Sequence, residues 1–431
     1  MTENKMIGKH DLGKALGEIV GPSHVFDNEE QWSRLGFRDV NQKSLLVSPG
    51  SVEEVQEVML YANRNKTSVT PVGGGTRIGQ VLGSAQSNIV LSSERLNALQ
   101  EFESDNLSVT VQAGLCNESL QQTLKTKNLF FPVYPDMNHS SLGGEVARNF
   151  SSWKRYRHGN ISDYVLGGTI VTPSGKVVKT GGKTVKNASG YDFTKLFAGS
   201  WGTIGIITSL ILRLKPLPEQ EYVVSAQFSS HADVLRAGLD VLGTKTAVSS
   251  LNIFGSFDSP GDASAADLTW SVVLEGSTEA VNDHLDKIVP HLGSNWQIDS
   301  QENVFPVTEK YRAMRAKLHT GRMYTVVFDK RVTKDLVPVL QLMTEEKVAF
   351  DLDLAAGVLE FTLENQWGPL PENILRQWQR LTRGLTHALR TNLESNGAQP
   401  LMGRILRRID PSALMFPGNT LLEEVDRGKR I

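Results

Sequence analysis

The residues of this chain best suited to hold a nucleotide lie in three glycine-rich segments between Pro71 and Thr208. Segment one reads Pro71, Val72, Gly73, Gly74, Gly75, Thr76, Arg77, Ile78, Gly79. Consecutive glycines can take positive φ and turn their backbone amides into a concave nest for a dinucleotide's pyrophosphate. Thr76 would add a hydroxyl and Arg77 a charge. The Rossmann pattern fails here: counted from Gly73, its third glycine falls at Ile78, and no amphipathic helix follows. Alone, the segment is as well explained by a plain glycine turn. Segment two runs from Pro135 and Asp136 through His139 and Ser141 to Gly143 and Gly144. It opens a helix whose free amides and positive dipole end would face an anion, with Ser141 as a hydroxyl donor. A loop with an ordinary N-cap is the simpler alternative. Segment three passes from Gly181 through Lys183, Lys186, Asn187 and Gly190 to Gly199, Gly202, Gly205 and Ile206. Basic and amide side chains there adjoin an apolar, glycine-spaced strand, which could slot a planar ring against backbone. A tight helix-to-strand packing turn is its plainer reading.

These segments need elements to position them. Ser51 and Glu54 have the spacing of a capping box ahead of Val52, Val55, Val58 and Met59, which predicts a helix. A short β-branched run, 68–72, then stops at the first glycines. Further strands are expected at 88–91 and 107–112, with a helix over 118–124. Strand-like runs at 164–171 and 176–179 flank Pro173, Ser174 and Gly175, which is hairpin chemistry, so parallel βαβ winding is not the whole plan. The apolar run 204–212 is too short to span a bilayer and reads as a buried strand. Pro216 and Pro218 mark a domain boundary. Beyond it, strands at 222–228, 269–274 and 323–328 alternate with helices at 232–242 and 278–292, an α+β pattern.

Composition narrows the class. A chain of 431 residues is long enough for two or three domains, and 39% hydrophobic with 21% charged residues is globular. A formal net charge of -2 offers no field for nucleic acid or acidic lipid. The single cysteine, Cys116, excludes a disulfide framework within the chain and a cysteine-rich metal site, and is consistent with a reducing, cytoplasmic compartment. The first 20 residues show no uninterrupted apolar stretch, so no export signal is expected and any membrane association would come through partners.

The order of the motifs resembles a known family. Pro71 to Gly79, then Pro135 with Leu142, Gly143 and Gly144, then Lys186 to Asp192, then Gly202 to Ile207 is similar to the vanillyl-alcohol-oxidase, or PCMH-type, FAD-binding family. Within it the chain resembles the flavin subunits of bacterial glycolate oxidase complexes. The resemblance implies an α+β fold: a helical segment over 1–40, a PCMH-type FAD-binding domain over 41–218, and a second α+β cap domain over 219–400. A segment over 401–431, containing Ile409, Asp410 and Pro411, would return to the flavin domain. It further implies that Gly73, Gly74, Gly75, Thr76 and Arg77 cradle the pyrophosphate, with Pro71 also part of the cofactor site. Pro135, Asp136, Ser141, Gly143 and Gly144 would line the ribityl and flavin side, Ile206 would offer backbone atoms to adenine, and Asn187 and Gly202 would complete the set. Segment one has no histidine and segment two no cysteine, so the implied FAD is non-covalent, and Cys116 is expected to be a small buried residue.

Oxidising a 2-hydroxy acid such as glycolate at a flavin requires a cation for the carboxylate and a base for the hydroxyl proton. The best cluster is Tyr311, Arg312, Arg315, His319 and Arg322, where a helix would bring Arg312, Arg315 and His319 to one face as clamp and base. A solvated basic helix is the stronger alternative there. Catalytic relatives in this family often carry a His-Gly-Asp-Gly-Asn-like signature, which this chain lacks, so no metal site is expected. Three readings follow: the FAD subunit of a glycolate oxidase-like complex, partnered by a catalytic flavoprotein and an iron–sulfur subunit; a stand-alone FAD-dependent 2-hydroxyacid dehydrogenase; or a non-catalytic flavin-carrying assembly subunit.

Overall fold

The computed structural model describes residues 8–37, 39–40, 43–76, 84–85, 87–135, 139–182, 194–244, 246–255, 268–292, 296–301, 311, 315, 318, 322–328, 336–363, 408–410 and 415. The chain divides into two compact units. Met1–Ser151, Asn160–Pro216 and Asn396–Ile431 form the first, and Ser152–Gly159 with Leu217–Ser395 form the second.

In the first unit, strands β1 (Leu45–Val47), β2 (Val69–Val72) and β3 (Ile89–Ser92) run parallel in the order β1-β3-β2. Helix α1 (Val52–Asn65) lies between β1 and β2 in the chain. Ser51 caps it by accepting from the Glu54 amide at 3.1 Å, and the Glu54 carboxylate reaches back to the Gly50 amide at 2.7 Å. Its Val55, Val58, Met59 and Ala62, spaced for one helical face, pack against Leu45, Val69 and Ile89. A five-stranded antiparallel sheet follows: β4 (Leu99–Glu103), β5 (Ser108–Gln112), β6 (Val165–Val171), β7 (Val177–Gly181) and β8 (Ile206–Arg213), ordered β7-β6-β8-β5-β4. The β6–β7 hairpin turns through Pro173, Ser174 and Gly175, where Gly175 takes φ +76 and donates its amide to Thr172 at 2.8 Å. Helices α2 (Asn117–Lys125) and α3 (Leu142–Arg148) pack Leu120, Leu124, Leu142 and Val146 into the core of this sheet. Met415 bridges to Val69, which joins the C-terminal segment to this unit.

The second unit is one seven-stranded antiparallel sheet: β9 (Gln220–Phe228), β10 (Val248–Gly255), β11 (Leu268–Gly276), β12 (Trp296–Gln301), β13 (Arg322–Val327), β14 (Phe350–Asp353) and β15 (Val358–Leu363), ordered β12-β9-β11-β10-β14-β15-β13. The short helix α4 (Arg155–His158) belongs to this unit, although its sequence lies within the flavin-type half. Helices α5 (His231–Gly243), α6 (Thr278–Ile288) and α7 (Val337–Glu345) cover one sheet face through Val234, Val281 and Leu340, against Val272, Ile253 and Leu352. Strand β10, which the sequence reading did not include, is buried at all eight positions, its polar Ser250 and Asn252 included.

Candidate functional site

The three glycine segments meet in the first unit. Pro71, Gly73, Gly74, Gly75, Thr76, Ser141, Gly143, Gly144, Gly202 and Ile206 all line one cleft of about 940 Å³ counted out to its open mouth. Pro135 is buried but does not line the cleft, and Arg77, Asp136 and Asn187 lie outside the described residues.

Local chemistry explains the convergence. Ser141 caps α3, its Oγ accepting from the Gly144 amide at 3.2 Å, and the same oxygen accepts from the Gly74 amide at 3.3 Å. The glycine loop after β2 is thereby tied to the start of α3, and its O–H remains able to donate into the cleft. The glycines serve close approach more than unusual φ. Among the described residues of segment one, only Gly75 is left-handed, at φ +71. A Cβ on Gly73 would fall 2.0 Å from Ser141 Oγ, and one on Gly74 would fall 1.9 Å from the His139 carbonyl oxygen.

Segment two departs from expectation. The first amides of α3 were expected free for an anion, yet Leu142 donates to Leu115 O, Gly143 to Ala113 O at 2.7 Å, and Gly144 to Ser141. Docking against the end of β5 has used them up. Among the described residues, the amides of Gly75 and Thr76 have no described acceptor, so the segment-one loop keeps backbone donors of the kind an anion nest requires.

Several lining residues were not among the expected site residues: Ser93, Ala113, Ser140, Glu145, Arg148, Trp201 and Ile207 among them. Glu145 is buried and accepts from the Asn117 side-chain amide at 2.9 Å, and Arg148 lies over the Phe150 ring at 4.7 Å. The helical period offered a signal for Glu145 and Arg148, since both follow Gly144 on the same short helix. Cys116, expected to be buried, is partly exposed and precedes α2. Among the described residues, no cysteine or histidine lines the cleft.

The basic cluster falls in the second unit. Arg312 and His319 lie outside the described residues. Arg315 is buried, with Nη1 3.1 Å from Asp351 and Nη2 donating to Glu360 at 2.5 Å. Tyr311 donates to Asp351 at 2.9 Å and stacks on Trp153 with ring centroids 4.5 Å apart. A second buried cluster centres on Lys154, which pairs with Glu221 and, at 2.7 Å, with Glu275, itself also bonded to His158. Burial pushes the Asp351 carboxyl up to about 6 against the pull of Arg315, and pushes Asp353 up to about 7. Burial also raises Glu221 to about 7, while Lys154 and His158 overcome the same burial at Glu275 and hold it below the usual carboxylate range. Among the described residues no cluster of acidic, histidine or cysteine side chains could hold a metal ion, and no helix is long and apolar enough to cross a membrane.

Comparison with known proteins supports the cofactor. Residues 44–181 match the FAD binding domain family. Residues 44–181 therefore form an FAD-binding domain, beside a second α+β domain, and the chain is by class a flavin-linked oxidoreductase. Among particular proteins it is similar to the glycolate oxidase subunit GlcD of Bacillus subtilis, 24% identical over 80% of this chain and 77% of that one. It is 34% identical to a D-2-hydroxyglutarate dehydrogenase of Xanthomonas citri over 52% of this chain, and 31% identical to a D-lactate dehydrogenase of Archaeoglobus fulgidus over 54%. Those matches span only 47% and 52% of the two dehydrogenases. In fold it is similar to a xylooligosaccharide oxidase from Myceliophthora thermophila, with a TM-score of 0.69 at 14% identity over 95% of this chain and 98% of that one. An alkyldihydroxyacetonephosphate synthase superposes with a TM-score of 0.68 at 18% identity, over 93% and 83%.

Proposed function

We propose that this chain is the FAD-binding subunit of a glycolate oxidase-like complex and takes part in oxidising a small 2-hydroxy acid to the 2-oxo acid. The single observation that carries the reading is the glycine-lined cleft, in a chain that also resembles a glycolate oxidase subunit across most of its length. Bound FAD would supply a two-electron acceptor for the hydride leaving the α-carbon. The chain's own part is to hold the pyrophosphate on the amides of Gly75 and Thr76, to fix that loop through Ser141, and to offer Ile206 backbone to the adenine. Segment one has no histidine and segment two no cysteine, so the proposed attachment of the cofactor is non-covalent.

A catalytic flavoprotein and an iron–sulfur protein are the proposed partners, in a cytoplasmic setting. The state of Arg315 favours such help. Its charge is already compensated by Asp351 and Glu360, so to clamp a substrate carboxylate it would have to give up one of them. The dehydrogenase relatives support the second reading, a stand-alone enzyme for lactate or a related acid. Anaerobic mixing decides between them. The purified chain with its flavin is expected to stay yellow with glycolate and D-lactate until both partner proteins are added. Bleaching by either acid without partners would replace the subunit reading with the stand-alone one.

A further inference from the structure

Segment three contains a residue that its backbone geometry does not favour. Ser200–Thr203 forms a tight turn closed by the Thr203 amide donating to Ser200 O at 3.0 Å, and both central residues have positive φ, Trp201 at +54 and Gly202 at +76. That is the φ signature of a type I′ turn, whose first central position is ordinarily asparagine, aspartate or glycine. A residue with a bulky side chain is disfavoured there, because left-handed φ drives its Cβ toward the following carbonyl. The strain is held in place from outside the turn: the Trp201 amide donates to Ala147 O at 2.8 Å and the Gly199 amide to Val146 O at 3.1 Å, pinning the turn to α3.

Packing does not explain the tryptophan. Its side chain is only half-buried, and among the described residues its indole stacks on no other ring. It does line the cleft, and no other aromatic side chain among the described residues does so. Strained backbone at a ligand site is retained where the ligand needs the side chain. We propose that Trp201 is a stacking platform for a planar ring of the bound dinucleotide and sets the affinity of this chain for its cofactor. The proposal rests on the FAD reading. Stacked ring contacts are strong and tolerant of ring identity, so adenine and isoalloxazine share the required chemistry.

The test uses the full chain, stripped of flavin and titrated with FAD while flavin fluorescence and tryptophan fluorescence are followed. Trp201→Asn should raise the melting temperature of the flavin-free protein, because asparagine suits the turn, and should weaken FAD binding about tenfold or more. Trp201→Phe should keep most of the affinity. The same titrations with ADP and with riboflavin identify the ring: a loss confined to ADP assigns adenine, and a loss confined to riboflavin assigns the isoalloxazine. Unchanged FAD affinity in Trp201→Asn overturns the proposal, as does a lower melting temperature of the flavin-free variant, which would make Trp201 a packing residue. A wild-type chain that binds no FAD would instead overturn the cofactor reading on which the proposal stands.

Discussion

The contact between the glycine loop and the start of α3 makes Gly74→Ala the most informative single change in the flavin unit. A methyl group at Gly74 would sit 1.9 Å from the His139 carbonyl oxygen and 3.0 Å from its carbon, where ordinary contact begins near 3.4 Å. The loop must therefore retreat by about 1.5 Å, which also breaks the 3.3 Å bond from the Gly74 amide to Ser141. Overpacking of this kind costs about 1–3 kcal/mol and the lost bond about 0.5–1.5 kcal/mol, so about 2–4 kcal/mol is at stake. Carried through to cofactor binding, that is a loss of about 30- to 1,000-fold in FAD affinity, with any remainder appearing as a lower melting temperature. Gly182 supplies the control. Among the described residues nothing lies within 4 Å of a Cβ built there, and Gly182→Ala should change neither quantity. Flavin titration and thermal melting of the two variants measure both. If Gly74→Ala bound FAD within threefold of wild type and melted at the same temperature, close approach would not be what shapes the loop, and the nest at Gly75 and Thr76 would lose its support.

Two further outcomes follow from the second unit. Lys154→Met leaves Glu221 and Glu275 buried without their shared cation and should remove about 3–5 kcal/mol of stability, measured by urea unfolding; an unchanged midpoint would show that these carboxylates do not depend on Lys154. Because burial raises Glu221, Asp351 and Asp353 to about 7, 6 and 7 from ordinary values of 4.5, 3.8 and 3.8, their contribution to stability is fully present at pH below about 4 and is lost as pH rises toward 7. Asp353→Asn should flatten that fall between about pH 4 and 7, and the same pH dependence in wild type and variant would remove Asp353 from the account.

How much was legible in the sequence depends on the range of the interactions involved. Capping at Ser51 and Glu54, the Pro173–Gly175 turn and the strand at β8 are local, and each could be read from a few neighbouring residues. The glycine segments identified the cleft for a similar reason, since glycine runs have few uses besides turns and close approach. What neighbours could not reveal was which need each glycine met. Gly73 and Gly74 read as donors of positive φ, yet they are required by Ser141 and His139, whose positions depend on α3 docking far away in sequence. The spent amides of Leu142 and Gly143 were hidden likewise, because Leu115 and Ala113 reach them only in the folded unit.

Polar residues of the second unit lie where alternation alone would not place them. Register places Glu221 opposite Glu275 on β9 and β11, and Asp351 opposite Glu360 on β14 and β15. Two like charges facing each other across strands repel, so a sequence reader would assign both pairs to a solvated face. Both pairs are instead largely buried, and each is bridged by one cation brought from outside the sheet: Lys154 from the 152–159 segment and Arg315 from the segment around 311–318. The stacked rings of Trp153 and Tyr311 join those two segments. The arginine that looked like a substrate clamp is thus part of what holds a polar sheet face shut, and its charge was needed because two strands already carried two carboxylates in register. A buried pair of this kind is costly to break from one side and contributes little net stability when intact. Its specificity follows from that asymmetry: only a covering segment that delivers a cation at each carboxylate pair can close this face of the sheet.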